Sequence, residues 1–381
     1  MKVMYIMPRY HTNLIPTISG WIKNGNDVKI VTHFKGKSED YTISSPDVVG
    51  YSKVFIWFFK LYTEVIKKND PLAKDIALKL GFPSVRAIRR VISDFKPDLV
   101  ILRERSLYTI VCTHVCRSMG VRNLLYNQSP LWADSSFFKK DIAHKIVNGL
   151  TPEKRITPVN QVGYGLDGKI RDEKAVFAPF VMNPWERPSE KKHFLNDKIN
   201  ILEIGKFEQR KKHFMMIDVL EKVVKNHPDI MLTIVGAKSD RFHEEYYGKL
   251  KKYVAEKGLS EYVCLKSNLS REEMAQEYIN ADLFVLPSTG EPAAISPIEA
   301  MSFAVPAICG SGNGTADYIV PNVTGDIFKD KDADDLKEKI EKIIDDRDKM
   351  ITMGKAAYDR VEDYCSFDRY YEAVCSTGVF N

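Results

Sequence analysis

The sequence predicts an α/β protein built from two Rossmann-like, doubly wound domains that face each other across a cleft. Its 381 residues are too many for one ordinary core and suit two domains of about 150 to 200 residues. Short apolar runs alternate with helical patterns in both halves, and a polar segment separates the two series. The composition, 44% hydrophobic and 28% charged, is that of a globular protein whose halves can each bury a core.

In the first half, four short apolar runs predict strands: KVMYIMP, VKIVTHF, DLVILR and NLLYN. Helical patterns lie between them, from about residue 15 to 24, from 86 to 95, and through Cys112 and Cys116. Strands that alternate with helices in this way form a parallel sheet covered by helices.

The segment NPWERPSEKKHFLNDK is rich in proline and charge and carries no apolar periodicity, so the domain boundary is placed there. The predicted first domain covers residues 1–183 and the second 184–364. In the second domain INILEIG, IMLTIVG, YVCLKS and DLFVLPS repeat the strand pattern, with helices between them. The aromatic residues of the tail, 365–381, have helical spacing and predict a helix that docks on another surface.

Charge and cysteine usage narrow the class of protein. A net charge of +5 and a pI near 8.6 favour phosphorylated small molecules or an anionic membrane over nucleic acid as partners. The six cysteines form no CxxC pair and no zinc spacing, and neither a signal-peptide core nor a membrane-length apolar run is present. We therefore expect a cytoplasmic protein without a metal. The absence of a GxGxxG turn argues against a nicotinamide-dependent oxidoreductase.

The stretch EPAAISPIEAMSFAVP, residues 291–306, directly follows the strand-like run DLFVLPS, at the ligand edge of an open α/β sheet. Glu291 lies in the loop and Glu299 just inside a helix, and carboxylates there can accept hydrogen bonds from two different diols. Four residues are expected to offer free backbone amides to anionic oxygens at the helix N-terminus: Ala293, Ala294, Ile295 and Ser296. The simpler alternative is that Glu291 caps the helix and Glu299 is solvated.

A second candidate site is the basic segment IGKFEQRKKHF, where Gly205 ends a strand and Lys206 and Lys211 follow. Two ammonium groups at a strand end can neutralise a departing diphosphate. Arg210 or Lys212 can compete with Lys211 for this role, and a solvated basic turn is the alternative.

Together these segments resemble the signature of glycosyltransferase family 4, over about residues 200–365. The resemblance implies the GT-B fold and a retaining transfer of a hexose from a nucleoside diphosphate sugar to an acceptor hydroxyl, without a metal. It implies that Glu291 faces the transferred sugar, that Glu299 holds the ribose, and that Lys206 and Lys211 assist catalysis at the diphosphate. It also implies that the tail packs back on the first domain.

Three alanines depart from that signature. Ala293 stands where the family has Phe, and Ala294 and Ala304 stand where it has Gly. A methyl group at Ala294 restricts positive φ and narrows the approach of the backbone to a ligand, so the loop is expected to sit differently on the sugar.

The first domain resembles the family less closely and is expected to bind the acceptor. His11 is either a catalytic or substrate-contacting residue or a simple solvated histidine, and Arg103 and Glu104 either bind an anionic acceptor or pair with each other. Many family members have a cross-cleft histidine in the region of residues 127–129. The full set of acceptor or cross-cleft candidates is His11, Asn13, Arg103, Glu104, Asn127, Gln128 and Ser129.

The aromatic segment VFIWFFKLYTEVIKK predicts either a buried core helix or an interfacial helix that rests on anionic lipid at the cytoplasmic face of the plasma membrane. The expected acceptor is a glycan or lipid-linked saccharide of cell-surface polysaccharide, O-antigen or glycolipid synthesis. A catalytically silent relative that binds a nucleotide sugar or acts as a scaffold is the alternative function.

Overall fold

The computed structural model describes residues 1–36, 40–66, 80–104, 106–138, 149–160 and 167–381. It divides into two compact units. The first comprises Met1–Pro158, Asp167–Val181 and Phe367–Asn381, and the second includes Met182–Ser366. The division lies within two residues of the predicted boundary, but Val159 and Asn160, assigned by the sequence to the first domain, group with the second unit.

The first unit contains a parallel sheet with the strand order β3-β2-β1-β4-β5-β7-β9, and β6 pairs with β8 in antiparallel fashion. Its strands are β1 (Lys2–Arg9), β2 (Asp27–Phe34), β3 (Asp47–Val48), β4 (Leu99–Arg103), β5 (Asn123–Tyr126), β6 (Trp132–Asp134), β7 (Arg155–Thr157), β8 (Lys169–Arg171) and β9 (Ala175–Phe177). Its helices are α1 (Ile15–Lys23), α2 (Lys53–Leu61), α3 (Val85–Phe95), α4 (Leu107–Ser118) and α5 (Ser135–Phe138), and α12 (Phe367–Ser376) joins them from the tail.

Strand β1 is buried on both faces because helices cover both sides of the sheet. Val3, Tyr5 and Met7 belong to one apolar cluster and Met4 and Ile6 to the other. The tail helix α12 belongs to the first of these clusters, in line with its aromatic spacing.

The hydroxyl groups of Tyr370 and Tyr5 lie 3.1 Å apart, and the Trp21 indole donates to Tyr5 over 2.9 Å. A side chain at Gly20 of α1 would overlap the ring of Phe367, so glycine there permits the close approach of α12.

The second unit contains a parallel sheet with the strand order β12-β11-β10-β13-β14-β15. Its strands are β10 (Ile199–Ile204), β11 (Ile230–Gly236), β12 (Val263–Ser267), β13 (Leu283–Leu286), β14 (Ala307–Gly310) and β15 (Gly325–Phe328). Its helices are α6 (His213–Val223), α7 (Arg241–Glu256), α8 (Arg271–Asn280), α9 (Ser296–Ser302), α10 (Ala333–Ile344) and α11 (Arg347–Tyr364). Since β10, β13 and β14 are neighbours, the loops after them meet at one edge of the sheet.

Candidate donor-binding site

The predicted donor residues of the second unit lie in the loops that follow β10 and β13. After β10 the chain passes Gly205 and Lys206 and forms a 3₁₀ turn over Gln209–Lys211 before α6 begins. After β13 it reaches Glu291 and then the start of α9. The amide of Thr289 donates to the carbonyl of Arg210 over 3.1 Å, which fastens the two loops to each other.

Glu291 is the centre of this cluster and is only 7% exposed. Lys211 Nζ hydrogen-bonds to Glu291 Oε1, and Arg210 Nη1 lies 2.7 Å from Glu291 Oε2. Arg210 also contacts Glu208 Oε1, at 2.8 Å. Burial raises the pKa of the Glu291 carboxyl, but the hydrogen bonds and charges of Lys211 and Arg210 lower it by a larger amount, so the net shift of the pKa is downward. Glu291 is therefore a carboxylate at neutral pH, with both oxygens paired to cations.

Lys211 lies directly over Gly205. A Cβ atom at Gly205 would come within 2.8 Å of Lys211 Cδ, so glycine leaves the space that the lysine stem occupies. Lys206 is exposed, and its carbonyl group accepts a hydrogen bond from the Glu208 amide over 2.7 Å. The two predicted lysines thus differ. Lys211 is held against Glu291, whereas Lys206 forms no ion pair with any of the described residues.

A buried ion pair that no sequence pattern indicates lies beneath this loop, formed by Glu203 on β10 and His213 at the start of α6. His213 Nδ1 contacts Glu203 Oε1, and His213 Nε2 lies 3.1 Å from the Lys206 carbonyl oxygen. Burial lowers the pKa of His213, but the Glu203 charge and hydrogen bond raise it more, and the net shift is upward. Both ring nitrogens face acceptors, so the imidazolium form satisfies both and orients the Lys206 carbonyl.

The start of α9 corrects one prediction. The amide of Ala294 is not free for an anion, because it donates to Asn313 Oδ1 over 3.3 Å. Asn313 is 3% exposed, and its Oδ1 also accepts from the Thr315 amide over 3.3 Å, while the Thr315 hydroxyl group donates to the Ala294 carbonyl at 2.6 Å. The amides of Ile295 and Ser296, at the N-cap and first position of α9, have no acceptor within the helix. The anion-binding donors are therefore fewer than the sequence suggested.

Glu299 on α9 accepts a hydrogen bond from Tyr278 of α8, with 2.8 Å between Oε2 and the phenolic oxygen. Burial raises the pKa of Glu299, and the Tyr278 hydrogen bond offsets this only in part. The Tyr278 ring stacks on Phe303, with centroids 5.2 Å apart. Tyr278 thus fixes one carboxylate oxygen of Glu299, a partner that the motif itself does not reveal.

Asp317 follows β14, in the 3₁₀ turn Ala316–Tyr318. Burial raises the pKa of its carboxyl to about 7, and the charge of Arg360 and a hydrogen bond with Asn160 counteract this only in part. Asp317 Oδ1 is buried and has no hydrogen-bond partner among the described residues. Asp317 therefore titrates near neutral pH in the folded protein.

The first-unit candidates lie at the carboxyl ends of β1, β4 and β5. His11 Nε2 is 3.1 Å from Glu104 Oε1 and 3.3 Å from Arg9 Nε. Burial lowers the pKa of His11, and the charges of Arg103 and Arg9 add to this, so the ring is neutral and forms a hydrogen bond rather than an ion pair. Arg103 and Glu104, which the sequence left as a possible pair, form no direct ion pair within the described residues, since Glu104 contacts His11.

The residues after β5 are held by Arg155. Arg155 Nη1 donates to Asn127 Oδ1 over 3.1 Å and to the Ser129 carbonyl oxygen over 3.0 Å. Gln128 forms a side-chain hydrogen bond with Tyr126. In the part of the chain that the structure describes, Asn13 Oδ1 and Asn127 Nδ2 are buried without a partner.

Helix α2 does not bury most of its large apolar side chains, so the core-helix interpretation is wrong for this segment. Trp57 is 62% exposed and Phe58 57%, while Phe55 is buried. The predicted segment extends through residue 68, and its last two lysines, Lys67 and Lys68, lie outside the described residues.

Over the residues described, no helix has the length and apolarity needed to cross a bilayer. No group of three or more His, Cys, Asp or Glu side chains among them could hold a metal ion.

Residues 186–360 match the family model described as Glycosyl transferases group 1. The capsular polysaccharide biosynthesis glycosyltransferase CapM of Staphylococcus aureus is 27% identical over 242 residues, which cover 61% of this chain and 58% of that protein. The sulfoquinovosyl transferase SQD2 of Arabidopsis thaliana is 32% identical over 99 residues, 25% of this chain and 19% of that protein. The chain thus aligns with less than two thirds of the length of these relatives.

Solved structures resemble the chain over its whole length. HepE of Anabaena in complex with UDP has a TM-score of 0.71 at 13% identity, covering 100% of both chains. Sucrose-phosphate synthase of Thermosynechococcus elongatus has a TM-score of 0.67 at 17% identity, covering 100% of this chain and 98% of that one. At such identities the likeness concerns the fold alone. The predicted fold class, GT-B with two Rossmann-like domains, is confirmed.

Proposed function

We propose that this chain, whose residues 186–360 match the glycosyl transferases group 1 model, is a retaining glycosyltransferase that moves a hexose from a nucleoside diphosphate sugar to an acceptor hydroxyl. The observation that carries the proposal is the cluster of Lys211, Arg210 and Glu291, formed by the loops after two neighbouring strands. Two cations and a carboxylate at this edge suit a ligand that is both a diphosphate and a sugar. HepE, a structural neighbour, was solved in complex with UDP and glucose.

The reaction breaks the bond between the anomeric carbon and the diphosphate oxygen and forms a bond to the acceptor oxygen on the same face. The acceptor proton passes to the departing phosphate. Lys206, Lys211 and the amides of Ile295 and Ser296 stabilise the charge that develops on the diphosphate. No metal and no enzyme nucleophile take part in this scheme.

Glu291 and the diphosphate compete for the same cations. Because Lys211 and Arg210 occupy both carboxylate oxygens, an incoming diphosphate that attracts Lys211 releases Glu291 Oε1 to accept a sugar hydroxyl. Glu299 accepts a hydrogen bond from the ribose while its Oε2 remains bound to Tyr278. In this scheme the donor itself completes its own site.

The proposed setting is cell-surface polysaccharide or glycolipid synthesis at the cytoplasmic face of the membrane. CapM is named for capsular polysaccharide biosynthesis, and another relative, from Mycobacterium tuberculosis, is a phosphatidylinositol monomannoside mannosyltransferase. The exposed side chains of Trp57 and Phe58, near Lys53 and Lys60, suit insertion into an anionic bilayer. Replacing both aromatic residues by serine should abolish co-sedimentation with phosphatidylglycerol vesicles but not donor binding.

A thermal-shift screen against uridine, guanosine, adenosine and cytidine diphosphates and their sugar conjugates, without added metal, tests the donor. Stabilisation by one nucleotide that is lost in Glu299→Ala supports the proposal. The anomeric configuration of the product, measured from the NMR coupling constant of the anomeric proton, tests whether the transfer retains the configuration of the donor.

A silent nucleotide-sugar-binding or scaffold protein is the second candidate, favoured by Asn127 in the region where many family members have a histidine. Stabilisation by a nucleotide sugar without any release of nucleoside diphosphate, with or without acceptor extracts, would select it. Absence of any nucleotide effect would contradict both candidates.

A further inference from the structure

Arg103, the last residue of β4, is a buried cation with no carboxylate bonded to it among the described residues. It is 4% exposed, and its guanidinium carbon lies 5.1 Å from the centroid of the Tyr126 ring. Its Nη1 atom is buried and has no hydrogen-bond partner in the described part of the chain. A buried guanidinium that has neither a carboxylate partner nor an acceptor for one of its nitrogens destabilises the fold, and a bound anion would offset this loss of stability.

The groups around Arg103 leave an excess of positive charge. Strands β1 and β4 are paired, so the carboxyl ends that carry Arg9 and Arg103 are adjacent. Both arginines and His11 influence one another electrostatically, and Glu104 is the acidic group in the cluster. With His11 neutral, the described residues of the cluster contribute two guanidinium charges against one carboxylate, a net charge of +1. Glu104 is itself engaged by His11.

A further buried donor lies at the end of the next strand. Strand β5 pairs with β4, with Tyr126 opposite Arg103, and Asn127 follows it directly. Asn127 Oδ1 already accepts hydrogen bonds from Arg155 and the Ser129 amide, while its Nδ2 is buried and no acceptor for it lies among the described residues. Two buried donors that lack acceptors at the ends of neighbouring strands are the complement of a ligand rich in anionic oxygens.

We propose that Arg9, Arg103 and Asn127, beside the pair formed by His11 and Glu104, form a binding site for a phosphate group carried by the acceptor, with Arg103 as its buried contact. Two guanidinium groups favour a dianionic phosphate over a single carboxylate, and the guanidinium fork matches phosphate geometry. The assignment of this phosphate to an acceptor rests on the proposed function, whereas anion binding at Arg103 does not. The phosphate comes either from a lipid anchor or from a soluble sugar phosphate.

The test uses the full chain and first silences the donor site with Lys206→Met and Lys211→Met. In that background, inorganic phosphate should still raise the Tm, and adding Arg103→Met should weaken phosphate binding at least tenfold. Arg90→Met is the matched control, because the Arg90 side chain is 84% exposed on α3 and should leave the shift intact. An undiminished phosphate effect in Arg103→Met overturns the proposal.

Folding defects are separable from loss of binding. Replacing an unpaired buried charge by an apolar side chain should leave the Tm without phosphate unchanged or higher. If the Tm without phosphate falls, Arg103→Lys provides the second variant, because lysine keeps the charge and lacks the guanidinium fork. Phosphate binding by this variant as tight as in the parent protein then refutes the site.

The same variants identify the source of the phosphate. Arg103-dependent binding to vesicles that contain phosphatidic acid, a phosphate monoester, relative to phosphatidylcholine vesicles, indicates a lipid phosphate. Arg103-dependent binding of glucose 1-phosphate in solution indicates a sugar phosphate. If no nucleotide binds the chain but the phosphate shift still depends on Arg103, the donor function fails while this site stands.

Discussion

Replacing Lys211 by methionine removes one ammonium group from the Glu291 cluster and keeps an unbranched stem over Gly205. Since Arg210 Nη1 remains 2.7 Å from Glu291 Oε2, the buried carboxylate keeps one cation. We therefore expect the free energy of unfolding to fall by about 1–2 kcal/mol, less than the roughly 3–5 kcal/mol expected when a buried charge loses its only partner. If the ammonium stabilises the departing diphosphate, kcat should fall by about 10²–10³-fold, or roughly 2.7–4 kcal/mol.

The assay is the release of nucleoside diphosphate from the donor that the thermal-shift screen identifies, with stability measured by urea unfolding. Lys222→Met is the control, because Lys222 pairs with the largely exposed Asp334 on the surface. It should leave the free energy of unfolding nearly unchanged, because exposed ion pairs are screened by solvent, and should leave kcat within about twofold. A kcat for Lys211→Met within about twofold of the parent value would remove Lys211 from the transition state. A loss confined to Lys212→Met would assign the role to the neighbouring lysine.

Three further predictions concern single residues. Glu299→Ala should weaken donor binding by about tenfold or more, since the ribose loses its acceptor, and unchanged affinity in calorimetry would exclude Glu299 from the site. His213→Gln should lower stability more at pH 6 than at pH 9. The raised pKa of His213 makes its pairing with Glu203 fully stabilising below the ordinary value of about 6.5 and lost as pH rises through the folded-state value, so an equal loss at both pH values would contradict the pair. Asp317→Asn should gain stability relative to the parent as pH rises from about 4 to 7, because the folded protein holds the Asp317 proton to about pH 7; a pH-independent difference in denaturant titrations would refute this.

The sequence was sufficient for the parts that depend on local periodicity and strand ends. Short apolar runs with helical patterns between them predicted the strands that carry the loops, and a loop that follows a strand must lie at the sheet edge. This logic placed Gly205 and Glu291 in loops that each follow a strand, and the structure shows that these two strands, β10 and β13, are adjacent in the sheet. It required no knowledge of side-chain direction.

Side-chain partners were harder to predict because they depend on backbone turns and on distant helices. Arg210 reaches Glu291 from a 3₁₀ turn that ends at Lys212, whose φ is +60°, and no periodicity signals such a turn. Tyr278 meets Glu299 across the packing of two helices, 21 positions apart in the chain. His213 follows two lysines in the sequence, and its role in a buried ion pair could be recognised only from its contact with Glu203.

The alanines that replace family glycines show where a motif departure alters the backbone. The sequence suggested conformational restriction at Ala294, yet that residue is not among those with positive φ, and its amide is instead bound by Asn313. The left-handed conformation falls at Ala304, with φ at +56°. For an alanine this costs about 1–2 kcal/mol, and the packing behind it supplies the constraint: a Cβ at Gly354 of α11 would come within 2.4 Å of the Ala304 carbonyl oxygen. The strained turn therefore connects α9 to β14 on the side of helix α11, while the loop that carries Glu291 keeps ordinary backbone angles at its alanines.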